Sequence, residues 1–245
     1  MENVALITGA AGGIGTALCE TFRGADYTVF GLDRIADPEE SDPFYLVDLR
    51  ELCRVPERLT QLVEDVRQRL AGRGLAALIH NAAHQVVKPI ETLTISDWTE
   101  TLDVNLLAPF LLSQALLPEL ESAHGCIINI SSIHAMLSKP SFTCYATSKA
   151  ALSGLTRCMA VELGGRVRVN AIAPAAVATP MLREGFRGRP ENYARLGEMH
   201  PLGRIADPRE VAAAALFLCS PGSSFVNGAV LDVDGGISAR LHDPE

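Results

Sequence analysis

Seven short apolar runs recur along the chain, at 4–8, 27–32, 44–47, 76–79, 126–130, 166–172 and 229–233. Most lack the alternation of a half-exposed strand and all are too short for a stable helix, so they read as strands of a parallel sheet buried on both faces. Between them the apolar spacing turns helical: through Phe22, over 59–70, from Ser96 onward, over 145–163, and from Pro208 through Cys219. Ser96 is the expected N-cap of the long central helix and Pro109 its expected kink. Gly72 with Gly74, and Gly164 with Gly165, are the expected stops. Strands alternate with helices from end to end without a linker. This predicts an α/β fold, one doubly wound parallel sheet of about seven strands with helices on both faces, as a single domain over 1–245. Two stretches break the rhythm. Residues 35–43, rich in Pro, Asp and Glu, read as a surface connection, and 178–207 reads as irregular chain suited to a substrate lid.

Composition narrows the class. The chain has 245 residues, 48% of them hydrophobic, and a formal net charge of -8. That balance argues against a nucleic-acid or anionic-membrane surface, since both need clustered positive charge. The expected partners are a small-molecule substrate and further copies of the same chain. No apolar run approaches the roughly 18 residues of a membrane span, and the first residues carry no basic segment of a secretory leader. Six scattered cysteines, with no C-x-x-C pair, read as reduced thiols. The expectation is a soluble cytoplasmic protein without a catalytic metal.

Candidate chemistry clusters at strand ends. Gly9-Ala-Ala-Gly-Gly-Ile-Gly15 follows the first strand and opens a helix. In that context glycines admit a pyrophosphate to the backbone and the helix N-terminus supplies N–H groups; an ordinary tight turn is the alternative. Asp33 closes the second strand, where a carboxylate would accept both adenosine ribose hydroxyls and repel a 2′-phosphate, which favours NAD over NADP. Arg34, next in the chain, argues the other way. Tyr145 and Lys149 are four apart on a helix and share a face. A neighbouring ammonium is expected to lower the phenol pKa and make Tyr145 a usable base. Ser132, at the end of the fifth strand, would hold the oxygen whose proton moves. Asn105 is a polar residue in an apolar stretch, either capping an irregular helix or contacting the site. His84, His134 and Cys144 stand near the mouth or serve structure. The lid arginines 183, 187, 189, 195 and 204 are interleaved with glutamates and read as a solvated mixed-charge surface.

Taken together, Thr8-Gly9-Ala-Ala-Gly-Gly13-Ile-Gly15, Asn81-Ala82-Ala83, Asn105, Asn129-Ile-Ser-Ser132 and Tyr145 to Lys149 resemble the short-chain dehydrogenase/reductase family, from Thr8 to Gly236. The resemblance implies a Rossmann-type fold and hydride transfer at a secondary alcohol or ketone. It implies Tyr145 as general acid/base, Lys149 as its pKa-lowering neighbour and nicotinamide-ribose ligand, Ser132 as the group polarising the substrate oxygen, and Asn105 as anchor of a relay water. Gly9, Gly13, Ile14 and Gly15 would cradle the pyrophosphate, Asp33 the ribose, and Asp48 and Leu49 the adenine. Asn81, Ala82 and Ala83 would line the cofactor, with Pro174, Val177 and Thr179 on its nicotinamide side. A homodimer or homotetramer is implied as well. Ala83 and Ala175 stand where the family usually has glycine, which would matter if either needed positive φ. An NAD-dependent dehydrogenase of a sugar, polyol, cyclic diol or steroid-like compound is the leading expectation. An NADPH-dependent 3-oxoacyl-thioester reductase is the alternative, and a non-catalytic nicotinamide-sensing binding protein a remote one.

Overall fold

The computed structural model describes residues 3–36 and 43–241. Most of the connection expected over 35–43 therefore lies outside the described residues. Seven strands form one sheet: β1 (Asn3–Thr8), β2 (Tyr27–Asp33), β3 (Phe44–Leu46), β4 (Ala77–His80), β5 (Cys126–Ile130), β6 (Arg168–Pro174) and β7 (Val230–Val233). Every pairing is parallel and the order is β3-β2-β1-β4-β5-β6-β7. The chain winds outward from β1 to β3, then crosses back to β4 on the other side of β1. That reversal opens a crevice at the carboxyl ends of β1 and β4, the place where such sheets bind ligands.

The unbroken apolar runs have a direct cause. On β1, Val4 and Leu6 pack into one core while Ala5 and Ile7 pack into a second on the opposite face. Helices α1 (Gly13–Gly24) and α10 (Pro208–Cys219) cover the second core with Leu18, Phe22, Val211 and Leu218. Helices α3 (Pro56–Leu70), α5 (Ala108–Ala115) and α7 (Thr143–Leu163) cover the first with Leu62, Val66, Leu112 and Leu163. Burying each such side chain is worth roughly 1.5–3 kcal/mol.

Four expectations change. The central helix α4 (Ile95–Leu102) is capped by Thr94, not Ser96: Thr94 and Asp97 exchange hydrogen bonds in a capping box, while the Ser96 hydroxyl turns to Glu100. The irregularity expected at Pro109 is a π-helical segment, Asp103–Leu107, just ahead of it. Two short helices, α2 (Leu49–Arg54) and α6 (Leu117–Ser122), were not read from the sequence. The lid region is also more ordered than expected, with α8 (Pro180–Gly185) and α9 (Pro190–Glu198). Its two ends meet at a parallel bridge between Val177 and Ala206.

Candidate active site

The glycine loop lies at the crevice and is shaped by what glycine lacks. Gly9 has φ +68, and a Cβ there would fall 2.8 Å from Ala82 Cα and 2.9 Å from Asn81 Nδ2. A Cβ on Gly15 would lie 1.9 Å from the Gly9 carbonyl oxygen, so the turn closes onto α1 only with glycine at both ends. Gly13 packs against Thr179 and Pro180 at the start of α8. Because the N-cap residue is Gly12, no side chain covers the first amides of α1. This cradle fits a pyrophosphate, which would take those N–H groups and the positive end of the helix. Ile14 follows as partly buried apolar packing.

Asn81 follows β4 directly and lies against the glycine turn. Its amide donates to the carbonyls of Thr8 (3.1 Å) and Gly9 (3.0 Å), so it fixes the glycine turn. Thr8 Oγ1 in turn accepts the N–H groups of Asn81 and Ala82. Asp33 ends β2 as expected, and its carboxylate accepts backbone N–H groups from Ala11, Arg34 and Ile35. Asp48 is more committed than expected: it caps α2 and is clamped by Arg50, whose other arm reaches Glu100. The Arg50 hydrogen bonds hold its carboxyl below the usual range. Leu49 is buried against the core.

At the carboxyl end of β5 the proton-transfer candidates come together. Lys149 is 2% exposed and its Nζ donates to the Ile130 carbonyl at 2.7 Å, lying 5.7 Å from the Tyr145 ring centroid. Burial lowers this lysine to about 8. Tyr145 hydrogen-bonds with Ser132, and that bond lowers its pKa, but burial prevails and pushes the phenol up to about 12. The expected acidification by Lys149 is therefore not seen: spacing brings the two groups together, but desolvation decides the shift. The Ser132 oxygen accepts the His134 backbone N–H at 3.1 Å, which leaves the hydroxyl proton for another acceptor.

The helix that carries Tyr145 is stitched in place by buried polar side chains. Asn105, in the π segment, accepts from His84 N–H through Oδ1 and donates through Nδ2 to the His84 carbonyl and to Ser148 Oγ. Ser148 passes the connection to the Tyr145 carbonyl at 2.7 Å. Asn105 is thus a positioning residue through its side chain. Its carbonyl would take an α-helical hydrogen bond from residue 109, and proline has no N–H to give. Further up α7, Ser131 bonds Ser153 and Asn129 bonds Thr156. Ser148, Ser153 and Thr156 went unremarked in the sequence, although their i, i+5, i+8 spacing keeps them on one side of the helix and signals a polar seam.

The remaining expectations sort cleanly. Neither Ala83 nor Ala175 adopts positive φ, so the two replacements of glycine cost no backbone strain. Ala82 lies against the glycine turn and Ala83 is exposed. Pro174 closes β6, Val177 makes the lid bridge, and Thr179 caps α8 by accepting from Leu182. Cys144 is buried and turned to the Asp97 carbonyl, a structural position. The His134 ring lies 6.2 Å from that of Tyr145 and 4.7 Å from Phe142, so it does border the site. In the lid, Arg187 pairs with Glu184, and Arg204 pairs with Glu210. His80 and His84 are four apart, but the His80 ring turns to Ser113 at the end of β4. Among the described residues no group of three or more His, Cys, Asp or Glu is placed to hold a metal, and no helix is long and apolar enough to cross a membrane.

A family model described as enoyl-(acyl carrier protein) reductase matches residues 9–238. Protein FixR of Bradyrhizobium diazoefficiens is 38% identical over 95% of this chain and 86% of its own. The ligand-free aldohexose dehydrogenase of Thermoplasma acidophilum superposes with a TM-score of 0.93 at 29% identity, over 100% of this chain and 97% of that one. ElxO with NADP bound superposes with a TM-score of 0.87 at 25% identity, over 98% and 100%. With its parallel Rossmann-type sheet, its glycine cradle, its buried Ser132 and Lys149 and its half-buried Tyr145, this chain belongs to the short-chain dehydrogenase/reductase family of oxidoreductases acting on CH–OH groups.

Proposed function

We propose that the protein interconverts a secondary alcohol and its ketone with NAD(H), on a sugar, polyol, cyclic diol or steroid-like substrate. The observation that carries this reading is the Ser132–Tyr145–Lys149 group gathered at the carboxyl end of β5, with Ser132 and Lys149 buried and Tyr145 half-buried. When bound, the nicotinamide supplies the hydride or accepts it. The Ser132 hydroxyl donates to the substrate oxygen, its own oxygen being held by His134 N–H. The Tyr145 phenol, protonated at neutral pH, delivers its proton to that oxygen as the carbonyl is reduced and recovers one in the reverse direction. Lys149 supplies positive charge beside the phenol and a ligand for the nicotinamide ribose. Asn105 holds the first turns of α7, and with them the phenol, in register.

The choice of NAD rests on the Asp33 carboxylate, whose charge opposes a 2′-phosphate. A second reading, an NADPH-dependent 3-oxoacyl-thioester reductase, is favoured by exposed Arg34 beside that acid and by the acyl-carrier description of the matching family model. One domain over 1–245 with 178–207 as its lid belongs to the same reading, the bridge between Val177 and Ala206 serving as the hinge point. So does a homodimer or homotetramer. Its support is Val161, 84% exposed on α7, with Phe217 on α10 and Phe225 and Leu231 near β7. A cytoplasmic location is in keeping with scattered cysteines that read as reduced thiols.

The test is a panel of secondary alcohols and ketones assayed with both coenzymes in parallel, in the native protein and in Tyr145→Phe. Turnover should favour NAD and fall by about 100-fold or more in the variant while NAD binding survives. Near-normal turnover by Tyr145→Phe rejects the role given to the phenol, and a strong NADPH preference rejects the coenzyme.

A further inference from the structure

The loop between Ser132 and α7 carries both ends of the proton-transfer site, and it also carries a charge that the reaction does not use. Lys139 places its ammonium 4.1 Å from the centroid of the Phe142 ring. Phe142 is buried, and its ring meets that of Tyr145 edge-on at 5.9 Å. The cation therefore stands two rings from the phenol. The loop is not free to carry it elsewhere. The His134 ring packs on Phe142 and its Nδ1 bonds the Leu137 carbonyl at 3.1 Å, while the Ser141 carbonyl accepts Lys88 N–H at 3.1 Å. Ser141 takes φ 69, a left-handed turn for a residue with a side chain, and so sets the approach into α7.

Among the described residues no carboxylate is paired with this ammonium. The nearby acids of α4 are engaged elsewhere, Asp97 with Lys88 at 2.6 Å and Glu100 with Arg50 at 3.0 Å. Burial alone lowers the Lys139 pKa, with no acid contributing in the other direction. An exposed cation held on an aromatic face beside the site, with no acid paired to it among the described residues, is poised for an anion brought by the ligand. The same loop exposes Met136 and Leu137, so the anion would come attached to an apolar body.

We propose that Lys139 is the specificity-determining contact of this active site, binding the carboxylate of a secondary alcohol or ketone that bears it several bonds from the carbinol carbon. The proposal rests on the reading of Tyr145 as the proton-transfer group and narrows its substrate class to hydroxy acids and keto acids.

The test compares matched acids and esters, 5-hydroxyhexanoate and 4-hydroxycyclohexanecarboxylate against their methyl esters. Each pair is assayed in the native protein, Lys139→Met and Lys139→Arg. Methionine keeps apolar cover on Phe142 without the charge, and arginine keeps the charge. The acid-to-ester ratio of kcat/KM should exceed about tenfold in the native protein. It should collapse toward unity in Lys139→Met through KM, and it should be largely retained in Lys139→Arg. A native ratio near unity, or one unchanged in Lys139→Met, overturns the proposal and leaves the oxidoreductase reading standing. No turnover of either acid by the native protein, alongside turnover of uncharged alcohols in the panel above, overturns the proposal alone; silence across that whole panel overturns the alcohol–ketone reading with it. Thermal melting of each variant separates a lost charge from a lost fold.

Discussion

Replacing Lys149 by methionine tests the electrostatics of the site apart from its chemistry. Burial lowers this ammonium from its ordinary 10.5 to about 8. Between those values the unfolded chain binds a proton that the folded chain does not, so stability rises with pH across that window. Below it the folded state carries the full cost of a buried charge. At about 1.4 kcal/mol per unit, the difference amounts to about 3 kcal/mol. Methionine removes that cost while keeping most of the volume. It also removes the 2.7 Å hydrogen bond to the Ile130 carbonyl, and leaving a buried acceptor unpaired costs about 1–3 kcal/mol. The two terms nearly cancel near neutral pH, so the sign of the change there decides nothing. The slope does. Urea unfolding of both proteins from about pH 7 to about pH 10 should show the native protein gaining about 2–3 kcal/mol on the variant as its lysine deprotonates. Stopping there stays below the Tyr145 phenol, which burial pushes up to about 12. A difference constant across that range refutes the buried-cation account, whatever happens to turnover.

Two further changes probe the scaffold. Gly15→Ala drives a Cβ onto the Gly9 carbonyl oxygen, which cannot yield without opening the turn; NAD binding measured by calorimetry should be lost, with a stability loss of about 1–3 kcal/mol in urea. Asn105→Ala strands both backbone groups of His84 and one partner of Ser148; about 2–4 kcal/mol of stability should go with it, and kcat should fall while binding of NAD changes little.

The strands were legible because a parallel sheet covered on both faces demands unbroken apolar runs, as the split of Val4 and Leu6 from Ala5 and Ile7 into opposite cores makes plain. Helices α2, α8 and α9 were not, since segments of six to nine residues offer too few turns for a period to declare itself. Candidate site residues were found wherever a motif marks a strand end. Their partners were found less well. The hydrogen bonds from Asn81 to the glycine turn were not legible, because spacing along a chain says nothing of which carbonyl a neighbouring strand presents. The phenol shows the same limit in its electrostatics. An i, i+4 pair announces proximity, but the sign of a pKa shift depends on how much water the fold removes, and here desolvation raises the phenol and lowers the ammonium.

The π segment shows how several such partners converge on one function. Arg54 of α2 pairs with Asp103, and the Cys53 thiol bonds the Asp103 carbonyl. Two residues on, Asn105 ties the loop after β4 to α7 at the turn that carries Tyr145. A regular helix advances about 100° per residue, and a widened turn shifts the facing of every residue beyond it. Pro109, which cannot donate to the Asn105 carbonyl, follows directly. The irregularity is thus the joint at which α2, behind the Asp48 end of β3, and α7, which carries Tyr145, are held in one register. An uninterrupted α-helix of the same length would supply the apolar contacts of α5 but would turn Asn105 away from either His84 or Ser148.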